Sequence, residues 1–201
     1  IWSDRWQEKW DNLPTIKGSL SNGLLKVLDT TSKVEKKVDT TNTEAYEFYL
    51  KAKHKYEKRK NSDDTVIAKK LFNKALSADN TLFRAKLALG DIYLNLGDVD
   101  EALRIFNSTL SQVKELNDNI NVGKCYNALA NVYWNKGDTE ESLKYSFLAL
   151  EIFEEIEDEK IILPTYSVIG IAYSLKGEYV KALEYFNKSL IIKEKLDDKL
   201  G

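Results

Sequence analysis

The feature that most constrains this chain is its similarity to itself. Three segments align without gaps: ALGDIYLNLGDVDEALRIF from Ala88, ALANVYWNKGDTEESLKYS from Ala128 and VIGIAYSLKGEYVKALEYF from Val168. Tyr93, Tyr133 and Tyr173 recur at one constant interval, and Gly97, Gly137 and Gly177 keep the same interval. The stretches between them are also alike: KELNDN from Lys114, EEIEDE from Glu154 and KEKLDD from Lys193. Units of this length bury their apolar faces by stacking on their neighbours, so the chain is expected to be a solenoid.

Each unit reads as two helices. Leu89, Tyr93 and Leu96 recur at helical spacing, as do Leu129 and Tyr133, then Ile169 and Tyr173. Gly97, Gly137 and Gly177 follow, where a left-handed residue ends a helix. Asp98, Asp138 and Glu178 come next, and the two aspartates can cap the second helix. That helix carries Ala102, Phe106 and Leu110 in one unit and Ala182, Phe186 and Leu190 in another. Gly90, Ala130 and Gly170 precede the tyrosine by three, and Ala102, Ser142 and Ala182 are expected opposite them, where small residues let two backbones approach. The first helices are predicted at Phe83–Leu96, Gly123–Lys136 and Leu163–Lys176. Few prolines and glycines, with abundant alanine, leucine, glutamate and lysine, agree with an all-α fold.

These residues resemble the tetratricopeptide repeat family. The resemblance is carried by Leu89-Gly90, Tyr93, Gly97, Ala102 and Phe106, repeated as Ile169-Gly170, Tyr173, Gly177, Ala182 and Phe186. A weaker unit precedes them: Ala68, Phe72 and Ala75 stand before Ala102, Phe106 and Thr109 at a shorter interval, which is the family's standard period. The later, longer period is similar to the longer-helix variant found in signalling scaffolds and regulators. The resemblance covers roughly Asn42 to Gly201 and implies a right-handed α-solenoid of helical hairpins at 44–80, 83–118, 123–158 and 163–198. Ser146 departs from the pattern where an aromatic is expected, Lys55 where a tyrosine is expected, and Lys58–Thr65 reads as a loop insertion.

Residues 1–43 form a non-repeat N-terminal segment. Trp2, Trp6 and Trp10, four apart, would share one helical face, which is read as packing against a neighbour rather than as an aromatic binding patch. The motif IWSDRW…LPTIKGSL, followed by NTEAYEFYLKAKHKY, resembles the junction that leads into such repeats in bacterial signalling proteins with a class III nucleotidyl cyclase domain upstream. That resemblance implies a strand at Ile1–Arg5, a helix at Thr15–Leu28 and a linker at Asp29–Thr43. The start without methionine and the repeat interrupted at Gly201 lead to the expectation that this is part of a longer protein.

Composition and motifs narrow the function classes. The net charge of −2 leaves no electrostatic case for nucleic acid. Cys125 is the single cysteine, so neither an intrachain disulfide nor a cysteine zinc site can form. It is read as a small packed residue rather than an activated thiol, and His54, the single histidine, as a surface residue without catalytic partners. Glu151–Glu159 lacks the order of a calcium loop and reads as the end of one helix and the start of the next. No apolar run reaches the ~18–20 residues that span a bilayer, and no phosphate-binding glycine loop is present. No enzyme activity, metal or cofactor is expected, and the location is expected to be cytoplasmic.

The family resemblance implies that the first helices line a concave surface that holds a protein or peptide partner. It places Arg84, Leu87, Asp91, Leu94 and Asn95 there from one unit. The next supplies Lys124, Asn127, Asn131, Trp134 and Asn135, and the last Pro164, Ser167, Ile171, Ser174 and Leu175. Asn131 matches the asparagine of carboxylate-binding members, whereas Asn127 stands where those members carry lysine. Amides can bond a peptide backbone without demanding a particular side chain. The expected function is therefore a protein-interaction module. The alternatives are the regulatory region of a cyclase-type signalling protein, or self-association through helical ends.

Overall fold

The structure, a computed structural model, describes residues 42–156 and 158–198. The tryptophan row, the cyclase-like junction and most of the linker lie outside these residues. The described residues form eight helices and no strand: α1 (Thr43–Glu57), α2 (Ser62–Ala78), α3 (Phe83–Asn95), α4 (Val99–Glu115), α5 (Asn119–Asn135), α6 (Thr139–Ile156), α7 (Glu159–Leu175) and α8 (Tyr179–Asp198). Each packs against the next in chain order, which makes four hairpins. In addition α3 touches α5 and α5 touches α7, so these first helices form a layer of their own.

The helix ends follow from local chemistry. Gly97, Gly137 and Gly177 take φ of +81°, +76° and +77°, which an L side chain rarely adopts. The next residue's N–H then reaches back five residues, from Asp98, Asp138 and Glu178 to the carbonyls of Tyr93, Tyr133 and Tyr173, each at 2.9 Å. These bonds satisfy carbonyls that a helix end would leave bare. Asp98 and Asp138 then accept from the backbone N–H groups of Glu101 at 3.2 Å and Glu141 at 3.1 Å, as expected of caps.

The starts of two first helices differ from the expectation. α5 and α7 begin at Asn119 and Glu159, four residues before Gly123 and Leu163. Asp118 and Asp158 are the N-caps, bonding the N–H groups of Asn121 and Lys160. Asn117, at φ 52°, ends the helix before Asp118. The extra turn supplies four of the six residues by which the longer interval, Tyr93 to Tyr133, exceeds the shorter, Ala68 to Ala102, and Pro164 lies just after that turn inside α7. The expected insertion at Lys58–Thr65 is also shorter. Asn61 caps α2, so Ser62–Thr65 is already helical. Lys55, in the tyrosine position, instead pairs with Asp64 at 2.6 Å across that turn. The ammonium holds the Asp64 carboxyl below its ordinary range.

In three of the hairpins an aromatic ring closes directly on a glycine of the facing helix. A Cβ on Gly90 would stand 2.3 Å from the Phe106 ring, and one on Gly170 2.7 Å from Phe186. The three atoms nearest a Cβ at Gly170 all belong to the Phe186 ring. The third hairpin displaces this contact. Ser146 replaces the phenylalanine there, so Ala130 can carry its methyl where Gly90 and Gly170 cannot. The aromatic has moved two turns along α6 to Phe153, and the glycine that receives it lies two turns back on α5, at Gly123, 2.4 Å from that ring. In an antiparallel pair those two shifts match. Beside these contacts Tyr133 stacks on Tyr145 and Tyr173 on Tyr185, with centroids 5.3 and 5.8 Å apart.

Candidate functional site

The first helices α3, α5 and α7 hold all the residues implied for the concave face. These helices touch one another in turn, α3 with α5 and α5 with α7, and each carries one row of these residues. None of these residues is fully buried. Asp91 and Asn95 on α3, and Trp134 and Asn135 on α5, are exposed; Arg84, Lys124, Asn127 and Asn131 are half-buried. The row on α7 is Pro164, Ser167, Ile171, Ser174 and Leu175. This part is more apolar, with Leu175 62 % exposed.

Asn95 and Asn135 make the same internal bond. Each side-chain amide donates to the carbonyl four residues earlier, Asp91 and Asn131 respectively, at 2.8 Å. Asn95 also meets the Tyr56 hydroxyl of α1 at 2.8 Å. These bonds hold the two side chains in one orientation and leave their carbonyl oxygens turned away from their own backbone. Asn127 has a different place. Its amide donates to Thr165 Oγ1 at 2.8 Å and ties α5 to α7, while its Oδ1 is buried without a partner. The sequence reading missed Tyr56 and Thr165. Both belong to neighbouring repeats, and spacing within one unit does not reveal such links.

The electrostatics of this face are mixed. Protein around the Asp91 carboxyl strips away water and pushes its pKa up to about 7, an effect that its solvent-open side moderates. Arg84 on the same helix and Lys124 on α5 supply positive charge. Trp134 keeps 39 % of its surface exposed and offers a flat apolar platform between amides. The arrangement can accept and donate hydrogen bonds to an extended backbone and cover one apolar side chain.

Other candidates for chemistry fall away. Burial pushes the Cys125 thiol up to about 12, so it is not a thiolate at neutral pH. His54 is exposed on α1. Among the described residues no group of acidic, histidine or cysteine side chains could hold a metal ion. No helix among them is long and apolar enough to cross a membrane.

Residues 81–155 and 126–195 match the family described as Tetratricopeptide repeat, and the two ranges together take in more than half of the chain. Several solved structures share the fold. BtubC (BKLC) from P. vanneervenii is 18% identical with a TM-score of 0.63, over 90% of this chain and 73% of that one. The apo form of RapI is 21% identical with a TM-score of 0.61, over 76% of this chain but only 43% of RapI. MamA is 18% identical with a TM-score of 0.54, over 95% of this chain and 98% of that one. No curated protein matches.

Proposed function

This chain belongs to the tetratricopeptide repeat family, and from that premise we propose that it is a protein-interaction module whose partner lies in extended form along α3, α5 and α7. Members of such a fold typically work as scaffolds without catalysis. The observation that carries the reading is the α5 row. Lys124, Asn131, Trp134 and Asn135 keep solvent-reachable surface on the layer of first helices, although the same helix buries Val122, Cys125, Leu129 and Val132 on its other side. A row of amides, one cation and one aromatic suits a peptide main chain with an apolar anchor. Asn127, tied to Thr165, then acts by fixing α5 against α7 rather than by touching the partner.

The test is selection of a displayed random-peptide library on the immobilised chain, followed by titration of the enriched peptide. Asn131→Ala, Trp134→Ala and Lys124→Glu should each weaken binding while the helical content and melting temperature stay unchanged. Equal loss from Lys144→Glu, which lies on α6 and pairs with Glu141, would place the binding elsewhere. The junction-like motif from Trp2 to Leu28 favours a second reading, in which the repeats regulate a nucleotidyl cyclase carried by the same polypeptide. Cyclic-nucleotide synthesis by that polypeptide, unchanged when residues 44–201 are removed, would refute it.

A further inference from the structure

Three pairs of side chains stand at corresponding places on the first helices: Asp91 and Asn95 on α3, Asn131 and Asn135 on α5, and Ile171 and Leu175 on α7. The helices touch in turn, so the pairs follow one another across the face. Their chemistry changes in one direction, from a carboxylate with an amide, through two amides, to two aliphatic groups.

The α3 end is made of acceptors. Asn95 Nδ2 donates both to the Asp91 carbonyl and to the Tyr56 hydroxyl, each at 2.8 Å. Both amide protons are taken, and the side-chain oxygen is what Asn95 has left to offer. Protein strips water from the Asp91 carboxyl, yet among the described residues no side chain bonds or pairs with it. A carboxylate that has lost water and gained no partner favours a cation from outside.

The chain's own cations are placed elsewhere. Arg84 stands seven residues before Asp91, or ~10 Å along the helix. The Arg59 guanidinium lies over the Tyr56 ring, 4.1 Å from its centroid, and donates to the Tyr56 carbonyl. The residue after each pair is Leu96 on α3 but Lys136 on α5 and Lys176 on α7, all three exposed. An incoming cation thus meets two acceptors with no lysine beside them on α3, and a like charge at the end of α5 or α7. At the other end of the series Leu175 is 62% exposed, and Trp134 on the neighbouring α5 adds apolar surface.

Packed helix axes stand about 8–10 Å apart, so α3 and α7 are separated by about 16–20 Å. An extended chain at ~3.3 Å per residue covers that in about five or six residues. We propose that the bound segment of the partner carries a lysine or arginine seated on Asp91 and Asn95, and an apolar side chain about five or six residues away over Ile171 and Leu175. This assignment rests on the reading that the partner lies extended along α3, α5 and α7.

The probe is a peptide enriched on the full chain from the displayed random library, synthesised with fluorescein and blocked ends and titrated by anisotropy. Enriched sequences should share a cationic and an apolar residue at about that separation. Asp91→Lys should weaken binding at least about tenfold, or ~1.4 kcal/mol, and so should glutamate in place of the peptide's cation, an arm that needs no variant of the chain. The two reversals together should restore most of the loss, a rescue that a merely structural effect of Asp91→Lys would not give. Leu175→Glu should also weaken the peptide. Glu151→Lys, exposed on α6, should leave binding unchanged, and circular dichroism should show every variant folded. Loss from Asn131→Ala with none from Asp91→Lys would leave the interaction module standing and overturn the cation site. Enriched peptides without a cation would do the same. A full chain that enriches nothing, as when another stretch of the same polypeptide holds the face, overturns both.

Discussion

Replacing Gly90 by alanine adds one methyl group at the tightest point of the second hairpin. Built on the existing backbone, that carbon lies 2.3, 2.6 and 2.9 Å from three atoms of the Phe106 ring. Carbon atoms in contact prefer about 3.5–4.0 Å, so the ring must retreat by more than about 1 Å. Phe106 is 0% exposed, with Val113, Cys125 and Leu129 in the same cluster, and a close-packed interior gives it nowhere to go. Overpacking of this kind costs about 1–3 kcal/mol. A contact this short against a ring with no room belongs at the upper end of that range; alanine returns up to about 1 kcal/mol of helix propensity over glycine, which leaves a net loss of about 2 kcal/mol. For a chain of this size that lowers the melting temperature by several degrees, at about 2–4 °C per kcal/mol. Gly170→Ala makes nearly the same clash, at 2.7 Å, but Phe186 is 37% exposed and can swing outward, so its loss should be much smaller. Thermal melts followed by circular dichroism give the ranking. A double-mutant cycle with Phe106→Leu tests the cause, because removing the ring should relieve the Gly90→Ala penalty. A Gly90→Ala chain as stable as the parent, or a cycle that is simply additive, would refute the reasoning.

Further outcomes follow from single contacts. Gly137→Ala forces a side chain into φ +76° with nothing within 4 Å to clash, so it should cost only the backbone strain of about 1–2 kcal/mol, visible as a lower melting temperature. Asp118→Ala removes the cap that accepts from Asn121 N–H at 3.2 Å and should cost about 0.5–2 kcal/mol, again read by a melt. Desolvation pushes the Asp91 carboxyl from the ordinary 3.8 up toward about 7, an effect that its solvent-open side lessens. The folded state therefore holds its proton more tightly, and stability declines as pH rises through that window. Asp91→Asn should accordingly raise the melting temperature at pH 8, with the gain shrinking toward pH 4; a gain that grows with acidity would contradict the sign.

The sequence by itself determined the helical hairpins, because their signals are local. Tyr93, Gly97 and Asp98 and their repeats state where one helix stops and the next begins, through a left-handed residue and a cap that act within a few positions. The constant interval between those repeats then made stacking the way to bury the apolar faces. The positions of Asn131 and Trp134 on the first helices were legible for the same reason. What tertiary structure decided lies between helices. The Phe186 ring closes on Gly170, a contact that depends on how deeply an aromatic enters the facing helix, which spacing along one chain does not give. Ser146 looked like a departure from pattern until Ala130, Gly123 and Phe153 showed the same lock displaced by two turns. Asn127 belongs to the row implied for the partner-facing surface, and only the tertiary structure shows its amide donating to Thr165 on the next repeat. The exposure of α8 likewise depends on whether another helix lies over it, since Phe106 and Phe186 occupy the same place in the repeat and differ only in what covers them.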